Sequence, residues 1–168
     1  MKTNMQEVCH VMACVGVFSS ENSTLFSLKR SLCALGYPEH IVRIANSSNS
    51  FDAVLIDNPP PGRHDTFTSK ILIVPDCMDA SSIPECFSDS VISYGLRKKN
   101  TVTVSSLIGE RLAVSVQRRI PTANGNMVAE QEFPINITHG ENSDKALGVI
   151  SALLVLDVPP DKITKITF

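Results

Sequence analysis

The chain has 168 residues, with 15 basic and 17 acidic side chains and a formal charge of −2. That length can build one domain with its own core, and no positive excess exists to draw in nucleic acid or an anionic membrane. No apolar stretch reaches the length of a bilayer span, and Glu7 instead of a basic segment precedes the first apolar run, so the reading is a cytoplasmic protein.

Val11 to Phe18 is an apolar run that predicts a strand, and Ser19 to Ser23 is a polar turn. Leu25, Leu28, Leu32 and Leu35 then recur at helical spacing. A hydroxyl at Ser23 or Thr24 is expected to start that helix by accepting an orphan backbone N–H, and Gly36-Tyr37-Pro38 to stop it. Ile41 to Ala45 is a weaker strand candidate. Ala53 to Ile56 is a cleaner one, ended by Asp57 and by the breaker from Asn58 through Pro59, Pro60 and Pro61 to Gly62. Ile71 to Val74 and Val91 to Tyr94 are further short apolar runs, the pattern of parallel strands buried on both faces.

Past Gly95 the texture changes. Thr101 to Leu107, Arg111 to Ile120 and Met127 to Ile137 are β-rich, with tight turns at Gly109 and Asn124-Gly125, and together predict an antiparallel meander. Asn142 and Ser143 are expected caps of a last helix carrying Ala146, Leu147, Ile150, Leu153 and Leu154 on one face and ending near Asp157 and Pro159. The expected fold class is therefore α/β: one domain over 1–168, with a mostly parallel sheet flanked by helices in 1–95 and a small antiparallel sheet and final helix in 96–168.

Three stretches, taken in this order along the chain, carry a resemblance. Gly16 to Thr24 (Gly-Val-Phe-Ser-Ser-Glu-Asn-Ser-Thr) stands between the first strand and helix. Val91-Ile92-Ser93-Tyr94-Gly95-Leu96 leads into Thr101 to Ser105. Gly140 to Leu147 (Gly-Glu-Asn-Ser-Asp-Lys-Ala-Leu) is followed after the helix by Leu156-Asp157-Val158-Pro159. The chain thereby resembles the central, ATP-binding domain of the Mur ligase family, which joins amino acids to an ATP-activated carboxylate. The family has Gly-x-x-Gly-x-x-Gly-Lys-Thr in the first stretch, Tyr-Gly or Phe-Gly before a small antiparallel sheet in the second, and Gly-x-His-Asn-x-x-Asn-Ala-Leu near the adenine in the third.

The resemblance implies a nucleotide site of Ser19, Asn22, Ser23, Thr24 and Asn142, with Asp57 in the place of a magnesium-ligating Glu. It also locates the departures. Ser19, Asn22 and Ser23 replace two glycines and the lysine, Glu21 adds a negative charge where phosphates would sit, and Glu141 and Lys145 replace the His and the second Asn. A phosphate loop needs converging N–H groups, a cation and a hydroxyl for magnesium, so no cofactor is expected, with weakly held ATP and magnesium as the alternative. For the family's metal-binding His and modified lysine, only His64 and Lys70 stand as candidates.

Other constellations are outweighed by plainer readings. Asp57, His64 and Asp65 could form a metal site at the strand ends but read as solvated loop residues. Asp76, Cys77, Asp79 and Cys86 lack regular ligand spacing. The five cysteines, Cys9, Cys14 and Cys33 included, contain no Cys-x-x-Cys pair, and most read as small buried hydrophobes. Arg97, Lys98, Lys99, Arg118 and Arg119 read as solvated turns, and no Gly-x-Ser-x-Gly elbow supports a hydrolase. The expected function is a non-catalytic Mur-ligase-like binding or scaffold module of a bacterial cytoplasm, acting through its sheet edge or as a homo-oligomer. The alternatives are a nucleotide- or phosphometabolite-binding enzyme and one subunit of a split ATP-dependent amide ligase.

Overall fold

The computed structural model describes residues 12–37, 40–45, 49–59, 66–78, 85–138, 140 and 142–168. Strand β1 (Cys14–Phe18) leads into helix α1 (Ser23–Ala34), then come β2 (Ile41–Ile44), β3 (Ser50–Ile56), β4 (Thr66–Pro75), β5 (Glu85–Phe87) and β6 (Ser90–Tyr94). The second half holds β7 (Val102–Ile108), β8 (Arg111–Val116), β9 (Ile120–Pro121), β10 (Met127–Val128), β11 (Gln131–Asn136), α2 (Ser143–Val155) and the short α3 (Pro160–Ile163). The fold is α/β, built on one mixed, mostly parallel sheet.

The main sheet runs β11-β8-β7-β6-β4-β3-β1-β2, with β5 paired to the first residues of β4. Pairing is parallel from β2 across to β7 and antiparallel among β7, β8 and β11. The expected meander therefore does not stand apart: it extends the parallel sheet, because Tyr94 of β6 pairs in parallel with Val102 of β7. The separate antiparallel sheet is only the pair β9–β10, joined at Met127↔Pro121 and Val128↔Ile120.

One face of the sheet carries the larger core, where Leu25, Leu28 and Leu32 of α1 and the apolar residues of α2 meet Val15, Leu55, Ile73, Ile92, Val102 and Val114. Every residue of α2 from Ala146 to Val155 is buried. Gly148 makes this close fit: a Cβ there would stand 3.0 Å from the Tyr94 ring, so the helix backbone lies directly on that side chain. The opposite face has a second cluster, Phe18, Phe51, Val54, Ile56, Phe67, Leu72 and Val74, with Phe18 and Phe67 edge to face at 5.0 Å. No residue of α1 or α2 belongs to that cluster, so the described helices flank one face only.

Helix α1 ends as expected: Gly36 has φ +80° and the Tyr37 N–H bonds the Leu32 carbonyl at 2.8 Å. Its start differs. The cap position is Asn22, without a side-chain cap bond, and Thr24 is the second helical residue, its hydroxyl turned to a distant partner. Helix α2 is capped by Asn142, whose Oδ1 accepts from the Asp144 N–H at 2.9 Å, while Ser143 is its first residue. Among the described residues no helix is long and apolar enough to cross a membrane.

Candidate functional site

In an open parallel sheet, ligands sit outside the carboxyl ends of the strands. Here those ends are Phe18 of β1, Ile56-Asp57 of β3, Pro75-Asp76 of β4 and Tyr94-Gly95 of β6, with the first turns of α1 and α2 beside them. Thr24, fully buried, donates a short hydrogen bond from its hydroxyl to Oδ2 of Asp57. The two residues assigned to the magnesium side of the site, 33 positions apart in the chain, are thus in direct contact.

The loop before α1 is closed on itself. The Ser20 N–H donates to the Asn58 carbonyl at 2.9 Å, Asn58 Nδ2 donates to Ser20 Oγ at 3.1 Å, and the Glu21 N–H donates to Ser19 Oγ at 3.2 Å. Asn58 adopts φ +44° to make this turn, a conformation asparagine tolerates better than most residues. Two of the amides that a phosphate loop would aim at an anion are consequently spent inside the protein. Asn22 and Ser23 are exposed at the helix start, and Ser23 Oγ lies 3.5 Å from the Glu21 carboxylate.

Carboxylates dominate the rest of the rim. Asp76 Oδ2 accepts from Asn100 Nδ2 at 2.6 Å and from the Arg97 N–H at 3.3 Å, and pairs with Arg97 Nε at 3.7 Å. Asp76 thereby holds the turn at 95–101. Gly95 (φ +144°) fits because a Cβ there would collide with the Asp76 carboxylate at 2.6 Å. Burial, with Asp76 and Asp57 adding to it, raises the pKa of Asp144, and its Oδ1 is enclosed without a hydrogen-bond partner among the described residues. Tyr94 is buried and donates to the Ile56 carbonyl at 2.8 Å. Burial first, then the Asp57 charge, lifts the phenol far above its ordinary range, so it stays protonated.

The sequence-assigned residues are therefore partly assembled. Ser19, Ser23, Thr24 and Asp57 gather at one end of β1 and β3, and Asn142 serves as the cap of α2 on the same sheet end, its side-chain oxygen taken by the Asp144 amide. Lys70 does not join them. It pairs with Asp52 at 2.7 Å, and Asp52 precedes Asp57 on β3 by five residues, about 17 Å of strand. Cys86 lies with Lys70 at that opposite end, against Ser69 Oγ at 3.4 Å. His64, Asp65, Asp79 and Glu141 lie outside the described residues. Among the described residues no group of three or more His, Cys, Asp and Glu side chains is placed to hold a metal ion.

Sequence reasoning passed over Tyr94 and Asp144 as members of this edge. Tyr94 stands in the sequence as the end of an apolar run and as the Tyr of the Tyr-Gly stretch, and the further signal for its burial is Gly148, a glycine inside a helix that makes room for a ring. Compared with known proteins, the chain matches no family model and no curated sequence.

Proposed function

We propose that this chain is a Mur-ligase-like domain that has given up nucleotide chemistry and works as a non-catalytic binding or scaffold module. The observation that supports this is the closed loop: the Ser20 and Glu21 amides are committed to Asn58 and Ser19, and no lysine takes the place of the family's phosphate ligand. Glu21, Asp57, Asp76 and Asp144 add negative charge around the same strand ends, which disfavours a polyphosphate further. Isothermal titration calorimetry with ATP or ADP and magnesium tests the reading. No saturable heat up to millimolar nucleotide is expected, and micromolar binding that weakens in Thr24→Ala and Asn142→Ala overturns it.

One contact favours a second reading, an enzyme that still binds a nucleotide or phosphorylated metabolite in the old cleft. The Thr24 hydroxyl and the Asp57 carboxylate are in contact, and a neighbouring hydroxyl and acid are the residue types that would hold a magnesium ion beside bound phosphates. That reading requires the Ser20–Asn58 bonds to open on binding, and the same titration decides between the two.

A further inference from the structure

We infer that the outer edge of β2, which pairs with no second strand among the described residues, receives with the groove beside it an extended acidic segment of a partner protein as an added strand. The inference rests on the binding-module reading and names the surface and partner chemistry through which the module works.

Strand β2 ends the sheet, and among the described residues its one strand partner is β1. The Ala45 N–H bonds the Val17 carbonyl at 2.9 Å. By the alternation of a parallel ladder, the backbone groups of Val42 and Ile44 therefore point away from β1, toward the side where no described strand pairs. The sheet's other edge is treated differently: β11 carries Pro134 in mid-strand and Glu132 beside it, two devices that discourage strand addition. β2 reads Ile-Val-Arg-Ile, with no proline and a single charge.

Beside this edge lies a groove of about 500 Å³ between α1 and β2. Its floor is formed by buried Leu32, Tyr37 and Val42 with the His40 ring stacked on Tyr37, and its rim carries exposed Lys29 and Arg43. Lys162 of α3 sits 4.6 Å from the Tyr37 ring centre and donates to the Tyr37 hydroxyl at 2.9 Å, which raises the lysine pKa and keeps it charged. Among the described residues lining the groove there is no carboxylate; Asp161, next to Lys162, and Glu39, next to His40 in the sequence, offset part of the charge of Lys29, Arg43 and Lys162.

This is a locally basic, half-apolar trough in a chain of formal charge −2, beside a row of backbone donors and acceptors. An added strand would satisfy the Val42 and Ile44 backbone while its side chains alternate, some over the Tyr37 floor beneath Lys29 and Lys162, others toward Arg43. Acidic residues fit both rows. A second copy of this chain does not, because pairing two β2 edges would bring both basic rims to one interface.

The test uses the whole chain and a short labelled peptide repeating Glu-Glu-Val-Val, which puts Glu and Val on both faces of a strand, with its Lys-Lys-Val-Val counterpart as control. Fluorescence anisotropy is expected to show salt-sensitive binding of the Glu peptide only, with Val42 and Ile44 amide exchange slowed in the complex. The exposed double change Lys29→Glu/Arg43→Glu should weaken it about tenfold. The same variant should gain binding of the Lys peptide, which also shows that it is folded. Equal binding of both peptides, amides at 41–44 left unprotected, or sedimentation showing a dimer joined through β2 would overturn the inference. Nucleotide calorimetry on the same sample separates the two levels: no peptide binding with no nucleotide heat sinks the edge inference alone, whereas nucleotide binding sinks the module reading.

Discussion

Gly95→Ala is expected to be among the most damaging single methyl additions in this protein, and the structure gives the size of the effect. The backbone at Gly95 has φ +144°, where an L side chain costs about 1–3 kcal/mol. The added Cβ would also stand 2.6 Å from Asp76 Cγ and 2.7 and 2.8 Å from the two carboxylate oxygens. Asp76 must then leave its bond to Asn100 Nδ2, a 2.6 Å contact to a side chain that is 1 % exposed, and losing a hydrogen bond to a charged group costs about 1.5–3 kcal/mol. The two effects together predict a loss of about 2.5–6 kcal/mol. Gly36→Ala is the control, since Gly36 has φ +80° with nothing within 4 Å of a Cβ, and only backbone strain of about 1–2 kcal/mol applies. Urea unfolding followed by far-ultraviolet circular dichroism measures both, as the chain has no tryptophan. The decisive comparison is Gly95→Ala in an Asp76→Ala background, where the collision is gone and only strain remains. If Gly95→Ala costs the same in both backgrounds, to within about 0.5 kcal/mol, the collision argument is refuted.

Tyr94→Phe removes the donor to the Ile56 carbonyl while keeping the ring on Gly148, and is expected to cost about 1–3 kcal/mol by the same unfolding measurement; an unchanged midpoint would show that the carbonyl finds another partner. Asp144 has its carboxyl raised by burial and by Asp76 and Asp57, so the folded chain holds that proton more tightly than the unfolded one. Its charge therefore costs stability above the folded value and nothing below the ordinary carboxylate range. Asp144→Asn should stabilise near neutral pH, with the gain fading as pH falls; a gain that persists in acid would contradict this. Asp52 behaves oppositely: burial alone would raise its carboxyl, but hydrogen bonds from Lys70 Nζ and the Cys14 N–H outweigh it and lower the pKa. That contribution is present above the ordinary carboxylate range and lost as pH falls through the depressed value, so Asp52→Asn, costing about 1 kcal/mol near neutral pH, should converge with the parent chain in acid.

The parts of the fold legible in the sequence were those where one residue pattern answers one environment. Ala53 to Ile56 and Ile71 to Val74 are apolar at every position because both faces of β3 and β4 are covered there, and Asn142 caps α2 by a contact two residues long. The first half of β4, Thr66 to Lys70, alternates buried and exposed and was not read as strand, and β5 is three residues that only its partner β4 defines. Joining the meander to the parallel sheet depends on the single pair Tyr94↔Val102, which no local pattern announces. At the candidate site the strand-loop-helix could be located from its polar turn. The direct bond from Thr24 to Asp57 could not: a hydroxyl near a helix start suggests a cap, the resemblance only places both residues on one side of a site, and the tertiary fold alone brings Asp57 within reach. The loop's internal closure through Asn58 was hidden for the same reason.

Helix α2 follows every strand of the main sheet in chain order and supplies its largest apolar cover, reaching β3, β4, β6 and β7. During synthesis those strands emerge before the element that shields them, so the growing chain exposes a broad sticky surface until the segment ending at Val155 has left the ribosome. A chain truncated before α2 is then expected to aggregate, a consequence of the order of manufacture and not of any weakness in the finished fold.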